Sequence, residues 1–318
     1  MSIKSNINGR AFEYIYLTVL HKEIQKLRSC VIVENKQYFS AQKSWNLLKE
    51  SDQDVYKLSV LSTLKTLFEL EPKILEKVDG VLSLEIQEDK RGERGDVRDI
   101  IINTRDIKWE IGLSLKHNHF AAKHSRISKE LDFSKKWYQI PCSEEYKNEV
   151  KPIFSLLDSL KQENLKWNEI PRKAEIIYFP LLNAFKKEIF RQNGRPENKI
   201  PSKLTEYILG KYDFYKIISI DQKRITQVQA FNFKGALNQG VNKNFVSRMS
   251  KTCLPSRIVS FDIKPKSKTT LEMYLDNGWQ FNFRIHSASS KVQPSLKFDI
   301  GIIGMPATIL TINCEWKK

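Results

Sequence analysis

The stretch from Gly95 to Glu130, GDVRDIIINTRDIKWEIGLSLKHNHFAAKHSRISKE, decides how the fold is interpreted. It contains two apolar runs, Ile100 to Ile102 and Trp109 to Lys116, separated by a short polar connection that begins at Asn103. Branched and apolar residues on both sides of a polar break predict two antiparallel strands. The rest of the chain is expected to build an α/β core around this hairpin.

Side chains of the second predicted strand alternate between its two faces. One face carries Trp109, Ile111, Leu113 and Leu115. The other face carries Glu110, Gly112, Ser114, Lys116 and Asn118. The pattern therefore directs Lys116 away from the apolar core, toward the side where Asp99 can lie.

The charge balance of the chain points to a polyanionic partner. Its 318 residues include 53 Lys and Arg against 37 Asp and Glu, a net charge of +16. Nucleic acid is the commonest partner for such an excess, although solubility or an anionic lipid surface would also explain it. The length allows roughly two domains.

Membrane and secretory classes are excluded by the sequence pattern. No run approaches the roughly 18 apolar residues of a transmembrane helix, and the first ten residues contain no apolar signal region. Cys30, Cys142, Cys253 and Cys314 are far apart and lack zinc-ligand spacing. We expect reduced thiols in a cytoplasmic protein.

The order of predicted elements changes along the chain. Apolar residues at three- and four-residue steps predict a helix over residues 8–28, and residues 81–86 predict a strand. Residues 120–137 are basic and are predicted to be helical. From about residue 205 the pattern predicts successive strands, with a hairpin at Asp276-Asn277-Gly278. We therefore expect an α/β core over 1–204 and a mainly β DNA-recognition region over 205–318.

Asp99 and Lys116 are the residue types that metal-dependent phosphodiester hydrolysis requires. A divalent ion held by carboxylates neutralises the phosphate and activates water, and a lysine beside it stabilises developing charge. This pair resembles the PD-(D/E)xK nuclease superfamily, in which an acidic residue usually lies two positions before the lysine. That position is Ser114 in this chain.

Three residues are candidates for the second carboxylate, and Glu130 is predicted to be the catalytic metal ligand beside Asp99. Glu110 lies about 20 Å from Lys116 along an extended strand, too far to share one ion. Glu130 lies 14 residues after Lys116. On a helix that leaves the strand it could fold back, as in superfamily members with a Ser-x-Lys strand. Asp96 is an alternative to Asp99 or an outer ligand, since a turn centred on Thr104-Arg105 would place Asp96 opposite Ser114.

One further acidic residue lies outside this stretch. Glu13 is one step off the apolar stripe of the first helix and is expected to be solvated, with a supporting role near the metal as the alternative.

Residues for DNA contact are predicted beside and after Lys116, in residues 234–268 and in the last hairpin. Residues 234–268 carry eight Lys and Arg and one acid, Asp262, which suits phosphate tracking as well as a solvated surface. Polar side chains on one face of the last hairpin suit base or phosphate recognition. The residues predicted individually to contact DNA are His117, Asn118, Lys123, Arg126, Lys129, Asn282, Arg284, His286, Ser287 and Lys291.

The chain resembles the HaeIII family of type II restriction endonucleases over its whole length. The resemblance rests on four segments: NGRAFEY, GDVRDIII, WEIGLSLKHNHFAAKHSRIS and RIHSASSKVQPSLKFDIG. It suggests the type member of the family or a close isoschizomer. It implies Mg²⁺-dependent cleavage of double-stranded DNA at GGCC, between the central G and C, with blunt ends, and a cognate methyltransferase as functional partner. The superfamily pattern falls on Asp99 and Lys116.

Two other classes of function compete with this hypothesis. One is a non-catalytic nucleic-acid-binding protein in which the hairpin is structural, and the other is a repair or recombination nuclease that recognises DNA shape. A palindromic target favours a homodimer, since protein symmetry can mirror site symmetry, and sequential nicking by a monomer is the alternative.

Overall fold

The computed structural model describes residues 3–76, 80–88, 95–104, 109–118, 121–239 and 249–317. The chain divides into two compact units, each assembled from separated segments. Unit 1 comprises residues 1–120, 210–252 and 307–318, and unit 2 comprises residues 121–209 and 253–306. No helix within the described residues has the length and apolar character needed to cross a membrane.

Among the described residues, unit 1 contains three α-helices and a seven-stranded mixed sheet. The helices are α1 (Ile3–Gln25), α2 (Lys36–Asn46) and α3 (Glu50–Leu70). The strands are β1 (Cys30–Val33), β2 (Leu82–Ile86), β3 (Ile100–Thr104), β4 (Trp109–His117), β6 (Phe214–Ile220), β7 (Ile225–Phe231) and β12 (Thr311–Glu315).

The sheet of unit 1 runs in the order β1-β2-β3-β4-β6-β7-β12. The β1–β2 and β4–β6 pairs are parallel and the other pairs are antiparallel. One face packs against apolar residues of α1, α2 and α3 in a single core cluster. Trp109, Ile111, Leu113 and Leu115 belong to that cluster, which confirms the predicted inward face of β4. The predicted α/β class is also confirmed.

The β3–β4 hairpin has the predicted antiparallel pairing. Ile100 pairs with Leu113 and Ile102 with Ile111. Continuing this register by one residue places Asp99 opposite Ser114, and the Asp99 amide donates to the Leu113 carbonyl at 2.7 Å. The alternative register, with Asp96 opposite Ser114, is wrong. Residues 105–108, between the two strands in the sequence, lie outside the described residues.

The side chain of Arg98 occupies the space that a side chain at position 112 would need, so this position requires glycine. A Cβ on Gly112 would overlap the Cδ and Cγ atoms of Arg98. Arg98 is held there by Asp96, with Nε and Nη2 each 2.8 Å from a carboxylate oxygen, and by Glu110 at 2.6 Å. The glycine thus allows a buried ion network to lie over the sheet.

We expect Gly112→Ala to lower the free energy of unfolding by about 1–3 kcal/mol, because the guanidinium must move away from Asp96. Urea denaturation measures the loss. Gly9→Ala is the matched control, since a Cβ there meets nothing within 4 Å. The control should be neutral or stabilising, as alanine is favoured over glycine in a helix. Equal stability of the two variants would contradict the role of Gly112.

Unit 2 contains a five-stranded antiparallel sheet in the order β5-β11-β10-β9-β8. Its strands are β5 (Ala121–Ser128), β8 (Ile258–Ile263), β9 (Thr270–Leu275), β10 (Gln280–Ser287) and β11 (Ser295–Gly304). Its helices are α4 (Phe133–Tyr138), α5 (Glu144–Gln162), α6 (Phe179–Asn193) and α7 (Ile200–Leu209), with a π-helical turn at Ala174–Tyr178 before α6. Aromatic contacts from Trp137 and Phe185 to Phe283 and Phe298 join helices and sheet.

The predicted helix over residues 120–137 is wrong. Residues 121–128 form β5, which pairs with β11, and only residues 133–138 are helical. Ser125 and Ile127 are buried while Arg126 is exposed, an alternation of period two. Pairing with a strand almost 170 residues later, where Ser128 meets Ser295, overrides the local helical pattern.

The strands predicted after residue 205 are present, but they contribute to both sheets. β6, β7 and β12 complete the sheet of unit 1, and β8 to β11 belong to unit 2. The position 204/205 lies inside α7. A functional division into a core over 1–204 and a recognition region over 205–318 stays a prediction.

Candidate active site

Asp99 lies immediately before β3 and accepts hydrogen bonds from the end of β4. Its Oδ2 atom is 2.6 Å from the Leu115 amide, 3.4 Å from the Ser114 hydroxyl and 3.4 Å from the Lys116 ammonium. The two charged side chains keep 24% and 28% of their surface exposed. The hairpin therefore brings Asp99 and Lys116 together in a position that a substrate can reach.

Glu13 on α1 adds a second carboxylate to this site. Burial, followed by the negative charge of Asp99, raises the pKa of Glu13 to about 7, although Arg10 and Lys116 act in the opposite direction. Its side chain is only 12% exposed and pairs with Arg10 at 2.8 Å. The expectation of a solvated Glu13 is wrong, and its electrostatic neighbours are those of the alternative, a role beside the metal site.

Asp96 and Glu110 do not join this group, because both neutralise Arg98. Burial would raise the pKa of Asp96, but hydrogen bonds and charge from Arg98 outweigh it and lower the pKa. Gln87 donates to the same carboxylate at 3.2 Å. Asp96 is therefore a structural ion-pair partner in this state of the protein.

Glu130 lies in an exposed turn after β5, in unit 2. The helix on which it was expected to fold back toward Lys116 is absent from these residues, which are a strand and a turn. A metal-binding role for Glu130 stays a prediction without that support.

His117 and Asn118 fix the end of β4. The His117 ring lies between the Tyr56 hydroxyl, 3.0 Å from Nδ1, and the Asp221 carboxylate, 2.8 Å from Nε2. Asn118 adopts a left-handed backbone, accepts from the Asp221 amide at 2.9 Å and donates to its carboxylate at 2.8 Å. Hydrogen bonds to Asp221 lower its pKa although burial opposes them. Phosphate contact by these two residues stays a prediction, and their observed role is to hold the strand that carries Lys116.

Comparison with known proteins assigns the chain to a family. The sequence model of the HaeIII restriction endonuclease family matches residues 9–306. The chain belongs to the HaeIII restriction endonuclease family. It is 45% identical over 319 residues to the Type II restriction enzyme HaeIII of Haemophilus aegyptius, a match that covers 100% of both chains. No solved structure matches.

Membership in the HaeIII family confirms the predicted class of enzyme, a type II restriction endonuclease. The identity of 45% makes the chain a relative of the Haemophilus aegyptius enzyme and not the same protein. Ser114 remains the departure from the superfamily pattern, and the structure turns its hydroxyl toward Asp99.

The predicted recognition face of this HaeIII family member is one side of the unit 2 sheet. Trp279, Phe281, Phe283 and Ile285 are buried, and Arg284 between them is exposed, as the alternation predicts. Asn282 accepts from the Gly301 amide at 2.9 Å, and His286 follows Arg284 on the same face of β10. Ser287 ends the strand, and Lys291 donates to the Asn164 amide oxygen at 2.9 Å.

An acidic residue lies in the middle of this row. Asp299 on β11 is 2.6 Å from His124 Nδ1, 3.1 Å from His286 Nε2 and 3.3 Å from Arg284 Nη2. Burial opposes the hydrogen bonds from His286 and His124, which lower the pKa of Asp299. Asp299 therefore orients Arg284 and His286, two of the side chains predicted to contact DNA. The contacts themselves stay predictions.

The basic residues of β5 and its turn differ in environment. The Lys123 ammonium donates to the Tyr207 carbonyl at 2.8 Å and lies 4.0 Å from the centre of the Tyr207 ring. Burial lowers the pKa of Lys123 to about 8. Arg126 and Lys129 are exposed. Of the basic segment 234–268, residues 240–248 lie outside the described residues. Arg126 and Lys129 are thus better placed for phosphate contact than Lys123.

All four cysteines are free, with Cys30, Cys142 and Cys314 buried and Cys253 exposed. This agrees with the expected reduced thiols.

Proposed function

We propose that this chain cleaves double-stranded DNA at GGCC to blunt ends by Mg²⁺-dependent hydrolysis of the phosphodiester. The observation that carries the proposal is the 3.4 Å approach of the Lys116 ammonium to the Asp99 carboxylate, at the place where the superfamily pattern puts its catalytic pair. GGCC specificity follows from the resemblance to the HaeIII family and from no individual contact.

The donor set fits a hard divalent ion. Within the described residues, no group of three or more His, Cys, Asp or Glu side chains is placed to hold a metal by itself. Mg²⁺ needs fewer, since it commonly takes one or two carboxylates and completes its shell with water and substrate phosphate. Asp99 and Glu13 supply two, and their mutual repulsion, which contributes to the raised pKa of Glu13, would be relieved by a cation between them.

Each residue then has a separate task. Asp99 and Glu13 would hold the ion, with Glu13 in the place first predicted for Glu130. When bound, Mg²⁺ supplies charge neutralisation at the phosphate and lowers the pKa of a water. Lys116 would orient the attacking water and stabilise the charge that develops on the phosphate. The Leu115 amide fixes the Asp99 carboxylate by its 2.6 Å hydrogen bond.

Recognition and assembly are part of the same proposal. Asn282, Arg284, His286, Arg126 and Lys129 would contact the DNA from the polar face of unit 2, and arginine matches the O6 and N7 edge of guanine. A homodimer suits the twofold symmetry of GGCC. A methyltransferase that protects the same site would be the functional partner, and both proteins would act in the bacterial cytoplasm.

A plasmid digest with purified protein tests the activity. With Mg²⁺ we expect discrete blunt-ended fragments whose ends fall at every GGCC, and with EDTA no cutting. Absence of cutting under all conditions would favour a non-catalytic binding protein. Nicking at structured sites without a common sequence would favour a repair nuclease, and either outcome contradicts the proposal.

A further inference from the structure

A second lysine lies beside Lys116 on the neighbouring strand. β4 and β6 are parallel, and Ser114 pairs with Lys216. Paired residues of adjacent strands point to the same face of a sheet. Lys216 therefore shares the face that carries Ser114 and Lys116, one strand spacing of about 4.8 Å farther along the sheet.

Lys216 is buried without a compensating negative charge from the described residues. Only 5% of the residue is exposed. Burial lowers the pKa of its ammonium to about 8, and the positive charge of Lys116 acts in the same direction. Its Nζ atom has no hydrogen bond or ion pair among the described residues. Gln229, its partner on β7, donates to Gln227 at 2.7 Å.

A buried ammonium beside another ammonium is unfavourable for the isolated protein, since desolvation and like charge both oppose it. Such an arrangement becomes favourable when an anion enters the site. The anion that the proposed function brings to Lys116 is a DNA phosphate, and consecutive phosphates along a strand lie within reach of two neighbouring lysines. Position, burial and charge therefore all point to the same ligand chemistry.

We propose that Lys216 binds a non-bridging phosphate oxygen of the bound DNA strand, at the scissile phosphate or at the phosphate next to it. This inference rests on the proposed function. It assigns the site two ammonium groups on adjacent parallel strands, one of which has no counter-charge among the described residues until DNA is present. The competing explanation is a lysine whose stem fills space in the sheet while its ammonium reaches residual solvent.

Lys216→Met keeps the length and apolar stem of the side chain and removes the charge. We expect single-turnover cleavage of a GGCC duplex to fall about 10²-fold to 10³-fold, the usual effect of losing one donor to developing charge. Binding of the same duplex in Ca²⁺ should weaken several-fold, while the thermal midpoint should stay the same or rise. Lys65→Met is the control, because the Lys65 side chain is 86% exposed on α3.

Methylphosphonate substitution of the duplex identifies the phosphate. A neutral methylphosphonate at the contacted position should slow the wild-type enzyme but add little to the Lys216→Met defect. The inference would be overturned if the methylphosphonate and the Lys216→Met substitution reduced the cleavage rate independently, with multiplicative effects, at every position tested. It would also be overturned if Lys216→Met cleaved at the wild-type rate. If the Met variant fails to fold, the same comparison of normal and methylphosphonate duplexes is made with Lys216→Gln.

This experiment distinguishes failure of the proposed function from failure of the proposed role of Lys216. If the wild type does not cut GGCC duplexes, the proposed function fails. If the wild type cuts, Lys116→Ala does not, and Lys216→Met cuts normally, then only the role of Lys216 fails.

Discussion

Replacing Lys116 by alanine should reduce cleavage of GGCC duplexes by about 10³-fold and leave binding of the duplex in Ca²⁺ within a few-fold of the wild type. The ammonium of Lys116 is 3.4 Å from Asp99 and partly exposed, so it can meet both the phosphate and the attacking water. Its contribution is greatest when charge develops in the transition state, and truncation therefore affects the rate more than the affinity. Asp99→Asn should be equally inactive, because the amide keeps the shape of the carboxylate but lacks its charge.

Matched controls separate this role from a structural one. Lys223→Ala removes an exposed lysine from the turn that joins β6 and β7 and should cut at the wild-type rate. Circular dichroism and urea denaturation of Lys116→Ala should match the wild type. A Lys116→Ala enzyme that cuts normally would remove Lys116 from the site, and one that unfolds would support a structural role for the hairpin.

Glu13→Gln should lower cleavage by about 10²-fold to 10³-fold and raise the Mg²⁺ concentration needed for half-maximal rate, whereas Glu130→Gln should do neither. The Glu13 carboxylate is buried and interacts with both Asp99 and Lys116. Glu130 is exposed in a turn that belongs to unit 2. Both substitutions remove one charge and change the side-chain volume little. A difference in cleavage rate and Mg²⁺ requirement between the two variants therefore shows which carboxylate lies at the metal site.

The Mg²⁺ titration decides between the two carboxylates. A normal Mg²⁺ requirement for Glu13→Gln, together with a large shift for Glu130→Gln, would restore Glu130 as the second ligand and exclude Glu13. Glu23→Gln is the helix control, since Glu23 lies on α1 and pairs with Lys26. Its Mg²⁺ requirement should equal that of the wild type.

Local sequence patterns were sufficient to predict the β3–β4 hairpin but insufficient to predict the elements around it. Ile100 to Ile102 and Trp109 to Lys116 form strands because branched and apolar residues favour a half-buried sheet, and alternation alone fixes the face of Lys116. The register depends on where the turn is centred, and the sequence left two alternatives there. The observed pairing selects Asp99 over Asp96 as the residue opposite Ser114.

The remaining site residues depend on long-range pairing. β5 has the basic character of a surface helix, and only its pairing with β11 makes it a strand, so Glu130 was placed on a helix that does not form. Glu13 carries no local sign of its proposed role, because the packing of α1 near Asp99 is a tertiary effect. Lys216 was missed for the same reason: its place beside Ser114 follows from the parallel β4–β6 pairing, which joins segments about a hundred residues apart.

The most direct measurement of the central claim is a crystal structure of the protein with a GGCC duplex and Ca²⁺. We expect the cation within about 2.3–2.6 Å of Asp99 and Glu13 oxygens, with a phosphate oxygen and water molecules as further ligands. The Lys116 ammonium should contact the same phosphate. A cation bound elsewhere, or an Asp99 carboxylate that faces away from both the ion and Lys116, would contradict the claim that these residues act together on one phosphate.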